Sequence, residues 1–298
     1  MPETPKQHVG MIGLGIMGSA MSGHLIAAGY PVIGYDIAAP ALAALRERGG
    51  AAARSVSEVA EKAATLITSL PSPNALHDVA AELAATARKN RVLVETSTLS
   101  LGDKLAAAEV LRGANVMMLD CPLSGSGSQA RARDVLVYAS GDRSAYDQCL
   151  PVLRVFSRAP YYLGAFGNGS KMKYVANLLV AIHTAAAGEA FALARKAGLD
   201  PAQMFEVVSD GAGGSSALKT RGEMLIADEY LPIRTMPLDL WRKDLSVITE
   251  FAASLRAPTP MFAAAVALFN AAIASGLGEQ DTAAVALVLE RMAALQHQ

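Results

Sequence analysis

The chain has 298 residues, enough for one large domain or two modest ones that bury a core without disulfides. A formal net charge of −1 and a charged fraction of 18% leave no basic footprint for a nucleic-acid partner. Cys121 and Cys149 have no metal or redox spacing and indicate a reduced, cytoplasmic setting. The five histidines are scattered without ligand spacing, so we expect no metal.

A glycine motif follows the first predicted strand, at residues 8–12. It has the form G-x-G-x-x-G and consists of Gly13, Leu14, Gly15, Ile16, Met17 and Gly18. The first glycine permits a tight turn, the second lets a pyrophosphate approach the backbone, and the third lets a helix pack on the strand. A helix predicted at residues 17–28 would direct its free N–H groups at the phosphates.

An acidic residue follows the second predicted strand. That strand, at residues 30–36, ends in Asp36, about 20 residues past the glycines, where a carboxylate binds ribose hydroxyls. No arginine follows closely, so NAD is favoured, with NADP as the alternative. The competing interpretation is that these residues form only a flexible glycine turn and a surface aspartate. The order strand, glycines, helix, strand and acid favours dinucleotide binding.

Strands and helices continue to alternate up to about residue 163. Further strands are predicted at residues 65–70, 91–96, 115–120 and 135–140, with helices at 101–111 and 144–156 between them. This alternation predicts a parallel sheet with helices on both faces.

Only helices are predicted after the glycine-rich linker at residues 164–169. Their ranges are 170–197, 201–210, 217–225, 238–255, 260–275 and 282–295. The apolar stretch at 174–194 contains His183 and Glu189 and is rich in alanine, so we expect a buried helix and no membrane span. The predicted fold class is α/β, with a nucleotide-binding domain at residues 1–164 and an all-helical domain at 165–298. A site is expected in the cleft between them, outside the carboxyl ends of the strands.

Polar groups follow three predicted strands and the linker. The strand ends carry Leu70-Pro71, Ser97-Thr98 and Ser124-Gly125-Ser126. Backbone N–H groups and hydroxyls of such a loop suit a carboxylate, although an ordinary flexible loop has the same composition. Lys173 and Asn177 are four residues apart and share a helix face, as a proton donor and its orienting amide would. Periodicity alone also allows a solvated lysine, like Lys171 beside it.

Five segments together resemble the 3-hydroxyisobutyrate dehydrogenase family, also called β-hydroxyacid dehydrogenases, and most of all its glyoxylate and succinic semialdehyde reductase branch. Residues 13–18 resemble the family's cofactor motif, and residues 120–125 resemble its substrate motif, usually written D-x-P-x-S-G-G. Residues 167–173 resemble G-x-G-x-x-x-K, and Asn177 matches the amide four positions later. Lys243-Asp244 and residues 276–281 match two C-terminal motifs.

The resemblance implies an NAD(P)-dependent enzyme with a Rossmann domain, a long interdomain helix and a helical domain that forms homodimers or homotetramers. It implies hydride transfer between nicotinamide and a small β-hydroxyacid, semialdehyde or 2-oxoacid such as glyoxylate. Lys173 would be the general acid–base group and Asn177 its orienting partner, with the substrate held by these two and by Ser124, Gly125 and Ser126. The implied cofactor-binding residues are Gly13, Leu14, Gly15, Ile16, Met17, Gly18, Asp36, Leu70, Pro71, Thr98 and Lys243.

Three departures from the family pattern leave the substrate open. Ser126 replaces a glycine, residues 128–131 replace a Gly-Ala stretch, and Ala176 stands where many members have asparagine. Candidate substrates include glyoxylate, succinic, tartronate and methylmalonate semialdehydes, and threonate. An imine reductase is one alternative, although such enzymes generally lack the lysine. A non-catalytic dinucleotide-binding interaction protein is the other.

Overall fold

The computed structural model describes residues 6–86, 91–231 and 235–295, and the chain divides into two units, Met1–Lys173 and Tyr174–Gln298. The first unit alternates strands and helices. In chain order these are β1 (Val9–Ile12), α1 (Ile16–Ala27), β2 (Val32–Tyr35), α2 (Ala39–Glu47), β3 (Ala51–Ala52), α3 (Val56–Lys62), β4 (Thr65–Thr68), α4 (Pro73–Thr86), β5 (Arg91–Glu95), α5 (Leu101–Gly113), β6 (Val116–Asp120), β7 (Leu123–Ser124), α6 (Gly127–Arg131), β8 (Leu136–Ala139), α7 (Arg143–Phe156) and β9 (Ala159–Tyr162).

Six strands form one parallel sheet in the order β3-β2-β1-β4-β5-β6. The strand order reverses direction between β1 and β4, which is where ligands bind in open sheets of this kind. The register places Ile12 beside Tyr35 and Thr68, and Glu95 beside Asp120. The segments after these strands therefore begin at one edge of the sheet.

The sheet is buried on both faces, as a parallel sheet requires. Alternate side chains of β5 separate accordingly: Val92 and Val94 join a cluster with residues of α1 and α7, whereas Leu93 joins a cluster with residues of α3, α4 and α5. The sequence prediction of a parallel sheet with helices on both faces is confirmed.

The strand predicted at residues 135–140 does not belong to that sheet. It is β8, which lies in a separate three-stranded sheet of order β7-β8-β9. Its partner β7 is antiparallel and only two residues long, and β9 is parallel. Because β7 is too short to show an alternating pattern, the reversal of chain direction there could not be predicted from the sequence.

The second unit is helical. One helix, α8 (Asn168–Lys196), contributes its first six residues to the first unit and the rest to the second. It is followed by α9 (Pro201–Asp210), α10 (Ser216–Ala227), α11 (Leu238–Ser254), α12 (Pro260–Ala274), a 3-10 helix (Thr282–Ala284) and α13 (Val285–Met292). The helix predicted at 282–295 is thus divided in two. The domain boundary at 164/165 stays a prediction.

Helix α8 is long and apolar enough, by length and composition alone, to cross a membrane. Core helices of globular enzymes meet the same criterion. Polar side chains at Lys173, Asn177 and Thr184 are buried along it, which fits a helix covered by protein.

Candidate active site

The glycine loop joins β1 to α1, and each of its glycines has different surroundings. Gly13 has φ +88°, and a Cβ there would lie 2.2 Å from the carbonyl oxygen of Ser69. A Cβ at Gly18 would lie 2.0 Å from the carbonyl oxygen of Gly13, so α1 packs directly on the turn. At Gly15 a Cβ would meet nothing within 4 Å. No side chain caps α1, so its first N–H groups can bind an anion.

Asp36 lies just after the neighbouring strand β2 and accepts a hydrogen bond from the glycine loop. Its Oδ2 accepts a hydrogen bond from the Leu14 N–H at 2.6 Å, and its Oδ1 accepts one from the Ala38 N–H at 2.8 Å. Each oxygen keeps a further acceptor site for a ribose hydroxyl. The next side chain, Ile37, is 94% exposed and uncharged, so no cation directly follows the acid.

The loops after β4 and β5 are tied together. The Leu70 N–H donates to Ser97 Oγ at 2.8 Å, and the Ser97 N–H donates to Glu95 Oε1 at 2.9 Å. Pro71 follows Leu70 and Thr98 follows Ser97, so the predicted cofactor residues of these two loops lie on connected backbone. Glu95 was not among the predicted site residues.

The predicted substrate loop follows β7. Ser124 is half-buried at the end of that strand, and a Cβ at Gly125 would lie 2.8 Å from Val135 Cγ1. Ser126 is the N-cap of α6. Its Oγ accepts from the Gln129 N–H at 3.3 Å, and its own N–H donates to Gln129 Oε1 at 2.9 Å. This capping box explains a serine at this position without a substrate.

The two residues predicted to be catalytic lie one turn apart on α8. Lys173 is 8% exposed and Asn177 is 4% exposed, whereas the neighbouring Lys171 is exposed. Within the helical unit, Asn177 Nδ2 donates to Asp244 Oδ2 at 2.8 Å, and Lys243 Nζ lies 3.3 Å from Asp244 Oδ1. The Lys-Asp motif thus supplies the carboxylate that orients the Asn177 amide.

A buried charge cluster lies at the carboxyl ends of β5 and β6. Lys104 Nζ is 2.6 Å from Glu95 Oε2 and 2.8 Å from Asp120 Oδ1, and all three side chains are fully buried. Burial by itself would lower the pKa of Lys104, but the two carboxylates raise it above its ordinary value. Lys104 therefore stays charged across the working pH range. Sequence reasoning missed it because a lysine at one helical position looks like any solvated lysine.

Two arginines near the substrate loop have ordinary surface positions. Arg131 is exposed at the end of α6, and Arg133 donates to the carbonyl oxygen of Arg154 at 3.2 Å. Among residues 6–86, 91–231 and 235–295, no three His, Cys, Asp or Glu side chains group as metal ligands would.

Two family models together match most of the chain. One, described as the NAD binding domain of 6-phosphogluconate dehydrogenase, matches residues 8–164. The other, described as NAD-binding of NADP-dependent 3-hydroxyisobutyrate dehydrogenase, matches residues 167–289.

Curated proteins and solved structures agree with these models. An L-threonate dehydrogenase from Pectobacterium atrosepticum is 33% identical over 96% of this chain and 95% of its own length. Glyoxylate/succinic semialdehyde reductase 1 from Arabidopsis thaliana is 29% identical over 93% of this chain and 96% of its own. A crystal structure of 3-hydroxyisobutyrate dehydrogenase from Salmonella typhimurium is 31% identical, with a TM-score of 0.86 over 95% of this chain and 100% of that one.

These matches confirm the predicted resemblance, the α/β fold with its helical C-terminal region, and NAD(P) as the cofactor. The open space at Gly15, the uncapped start of α1 and the acceptors of Asp36 fit such a cofactor. The chain therefore belongs to the 3-hydroxyisobutyrate dehydrogenase family and is an NAD(P)-dependent oxidoreductase of small hydroxyacids and their carbonyl counterparts.

Proposed function

We propose that Lys173 is the general acid–base group of this oxidoreductase and that its substrate is a small carboxylated β-hydroxyacid or the matching semialdehyde. The observation that carries the proposal is the burial of Lys173, one turn before the buried Asn177 and beside the exposed Lys171. Lys173 lies on the family's lysine motif, and a buried ammonium contributes nothing to solubility. A partly desolvated lysine is, however, suited to proton transfer.

Each residue then has a defined task. Bound nicotinamide supplies or accepts the hydride. Ser124 and the Gly125 N–H bind the substrate carboxylate, while Lys173 protonates the carbonyl oxygen during reduction and accepts the proton during oxidation. Asn177 donates through Nδ2 to Asp244, so its Oδ1 is the atom presented to an ammonium or a substrate hydroxyl. Thr98 and Lys243 would contact the cofactor.

The cofactor preference we propose is NAD over NADP. The Asp36 carboxylate would repel a 2′-phosphate, and the adjacent Ile37 offers no positive charge to offset it.

The decisive test compares Lys173→Met with Lys171→Met, a lysine two positions earlier on the exposed side of α8. General acid–base assistance contributes about 10²–10⁴-fold, so Lys173→Met should lose about that much in kcat. Its NADH dissociation constant should stay near the wild-type value, and Lys171→Met should retain full turnover. Near-wild-type kcat in Lys173→Met would overturn the assignment.

The substrate is found with a panel assayed with NADH and NADPH. It contains glyoxylate, succinic, tartronate and methylmalonate semialdehydes, L-threonate and 3-hydroxyisobutyrate, which the relatives' names and the site chemistry suggest. Turnover of cyclic imines in place of these compounds would favour the imine reductase alternative. NADH binding without turnover of any compound would favour a non-catalytic role.

We also propose a cytoplasmic homodimer or homotetramer. Two unpaired, buried cysteines fit a reducing compartment, and the family resemblance supports assembly through the helical unit. Light scattering coupled to size-exclusion chromatography measures the assembly directly, and a monomer would contradict the proposal.

A further inference from the structure

The buried charge cluster Glu95–Lys104–Asp120 begins with two carboxylates placed side by side. Glu95 and Asp120 are the last residues of adjacent parallel strands and are paired in register. Like charges this close repel, and both side chains are fully buried. Lys104 reaches from α5 and contacts both carboxylates, which balances the pair to a net charge of −1.

The same cluster holds the start of α8. Asp120 Oδ2 accepts from the Ser170 N–H at 2.7 Å, and Asp120 Oδ1 accepts from Ser170 Oγ at 2.7 Å. Ser140 Oγ also donates to Asp120 Oδ2 at 3.2 Å and accepts from the Gly169 N–H at 2.9 Å. At the helix start, the Ser170 N–H is thus satisfied by the Asp120 carboxylate, which Lys104 contacts, and the Gly169 N–H by the Ser140 hydroxyl that donates to that carboxylate.

The helix start is also in tight steric contact with the strands. A Cβ at Gly169 would lie 2.2 Å from the Tyr138 carbonyl oxygen and 2.6 Å from that of Asp120. Lys173 follows Ser170 by three residues, less than one helical turn. Its backbone position is therefore fixed by the contacts of Gly169 and Ser170.

Glu95, the other carboxylate of the cluster, is connected to the loops in which cofactor-binding residues are predicted. Glu95 Oε1 accepts from the Ser97 N–H at 2.9 Å, and Ser97 Oγ accepts from the Leu70 N–H at 2.8 Å. The Cys121 N–H donates to the Glu95 carbonyl oxygen at 2.8 Å, at the start of the segment leading to Ser124. The cluster is thus linked, directly or through Ser97, to the loops after β4 and β5 and to the segment that leads to Ser124.

We propose that Lys104 and Asp120 are positioning residues for Lys173, which set where the ammonium lies relative to the loops that hold nicotinamide and substrate carboxylate. The inference rests on the proposed function of Lys173. Its physical basis is the steep dependence of catalysis on geometry, since a displacement of about 1 Å can cost about 10²-fold in rate. Stability alone is a weak reason for such a cluster, because well-packed apolar residues are often as stable as a buried ion pair.

Two substitutions cut the link between the cluster and α8 without leaving a charge unpaired. Asp120→Asn keeps the side-chain size and leaves the neutral pair of Glu95 and Lys104, but it replaces one acceptor of Ser170 with a donor. Ser170→Ala removes a single hydroxyl, and Ser170→Thr keeps it. The matched control is Glu82→Gln, which loses a carboxylate that accepts from Ser57 in the same unit, between α3 and α4.

We expect kcat to fall about 10²-fold in Asp120→Asn and about tenfold in Ser170→Ala, with the NADH dissociation constant within about twofold of wild type. The kinetic isotope effect on kcat, measured with NADH deuterated at C4 and in D₂O, should rise because the chemical step becomes limiting. Ser170→Thr should recover turnover. Glu82→Gln should lower Tm but leave kcat and the isotope effects unchanged.

The outcomes separate the two proposals. Wild-type kcat and isotope effects in Asp120→Asn and Ser170→Ala, with an inactive Lys173→Met, would overturn the positioning role alone. An active Lys173→Met would overturn the proposed function. If kcat falls in proportion to Tm in both Asp120→Asn and Glu82→Gln, the role of the cluster is merely structural. If Asp120→Asn does not fold, the result with Ser170→Ala decides.

Discussion

Gly15 and Gly18 look equivalent in the motif, but a methyl group added at each position would meet different surroundings. A Cβ at Gly18 would strike the backbone carbonyl of Gly13 at 2.0 Å, where no side chain can move aside. At Gly15 a Cβ would project into open space, and the residue has φ −62°, which alanine readily adopts. Of these two glycines, only Gly15 has open space around its Cβ position, and it precedes the first turn of α1, where the predicted phosphates would bind.

We therefore predict that Gly15→Ala and Gly18→Ala separate ligand binding from folding. Gly15→Ala should keep the wild-type Tm but weaken NADH binding, since its methyl group occupies the space of the pyrophosphate. Gly18→Ala should lower Tm by itself, because α1 must move off the turn. Isothermal calorimetry with NADH and thermal unfolding without it measure the two effects. Unchanged NADH affinity in Gly15→Ala would contradict the predicted phosphate site.

Asp36→Asn tests the cofactor preference. The substitution removes the charge and keeps one acceptor oxygen, so one of the two N–H groups of Leu14 and Ala38 retains its side-chain hydrogen bond. Without the charge a 2′-phosphate is no longer repelled, so the preference for NADH over NADPH in kcat/KM should fall about 10- to 100-fold. Steady-state kinetics with both cofactors gives the ratio. A wild type that already prefers NADPH would refute the interpretation of Asp36.

Local chemistry decided which site residues could be predicted from sequence. The glycines and Asp36 could be proposed from sequence because the roles predicted for them depend on a few neighbouring residues and a fixed spacing. Lys173 needed the family motif, since helical spacing fits Lys171 and Lys173 equally. Lys104 could not be found, because its partners lie on two strands outside its own helix and only the fold brings them together.

At the scale of whole elements, the C-terminal motif at residues 276–281 connects several segments of the helical unit. Asp281 is fully buried and accepts from the N–H groups of Met236 at 3.0 Å and Ala283 at 2.9 Å, and from Thr235. It also forms an ion pair with Arg221 at 3.5 Å. The loop before α11, the 3-10 helix and α10 are therefore joined at a single carboxylate.

Asp281→Ala should accordingly destabilise the protein strongly. It leaves the buried Arg221 without its partner, which typically costs about 3–5 kcal/mol in the free energy of unfolding. Arg221→Met should cost a comparable amount, and the double variant should cost less than the sum because the residues are in contact. Urea unfolding of the four proteins gives the cycle. Additive losses would show that the pair does not act as a unit.

The length of a strand decided whether it could be predicted from the sequence. Five of the six strands of the parallel sheet carry apolar runs. The ranges 8–12, 30–36, 65–70, 91–96 and 115–120 place each of these five within two residues at either end. The two-residue strands β3 and β7 have no readable period. Without β7, nothing in the sequence indicates that β8 leaves the main sheet.

In each of the two units, the part of the chain that the structure describes contains a buried acidic residue paired with a basic residue distant in sequence. Arg195 and Glu290 form such a pair across 95 residues of the helical unit, as Lys104 does with Asp120 in the first unit. Each pair joins elements that no local pattern relates. The sequence predicts which elements exist, whereas these long-range pairs depend on how the elements pack.

The two thiols should set the alkaline limit of stability. Burial raises the pKa of Cys149 to about 12 and, with the nearby Asp120 charge, raises the pKa of Cys121 well above its ordinary value. The folded protein thus keeps two protons that the unfolded chain releases above about pH 8.5, so the free energy of unfolding falls as pH rises. The slope is about 1.4 kcal/mol per pH unit for each thiol.

Urea unfolding between pH 8.5 and 9.5 isolates this effect. Tyr146, Tyr230 and Lys104 also have a raised pKa, but in the unfolded chain they lose protons only near pH 10 and above. The double variant Cys121→Ala/Cys149→Ala should therefore lose about 2 kcal/mol less than the wild type over that interval, whatever its stability at pH 7. Equal slopes in the two proteins, or rapid reaction of native thiols with a disulfide reagent, would show that the thiols are not held protonated by burial.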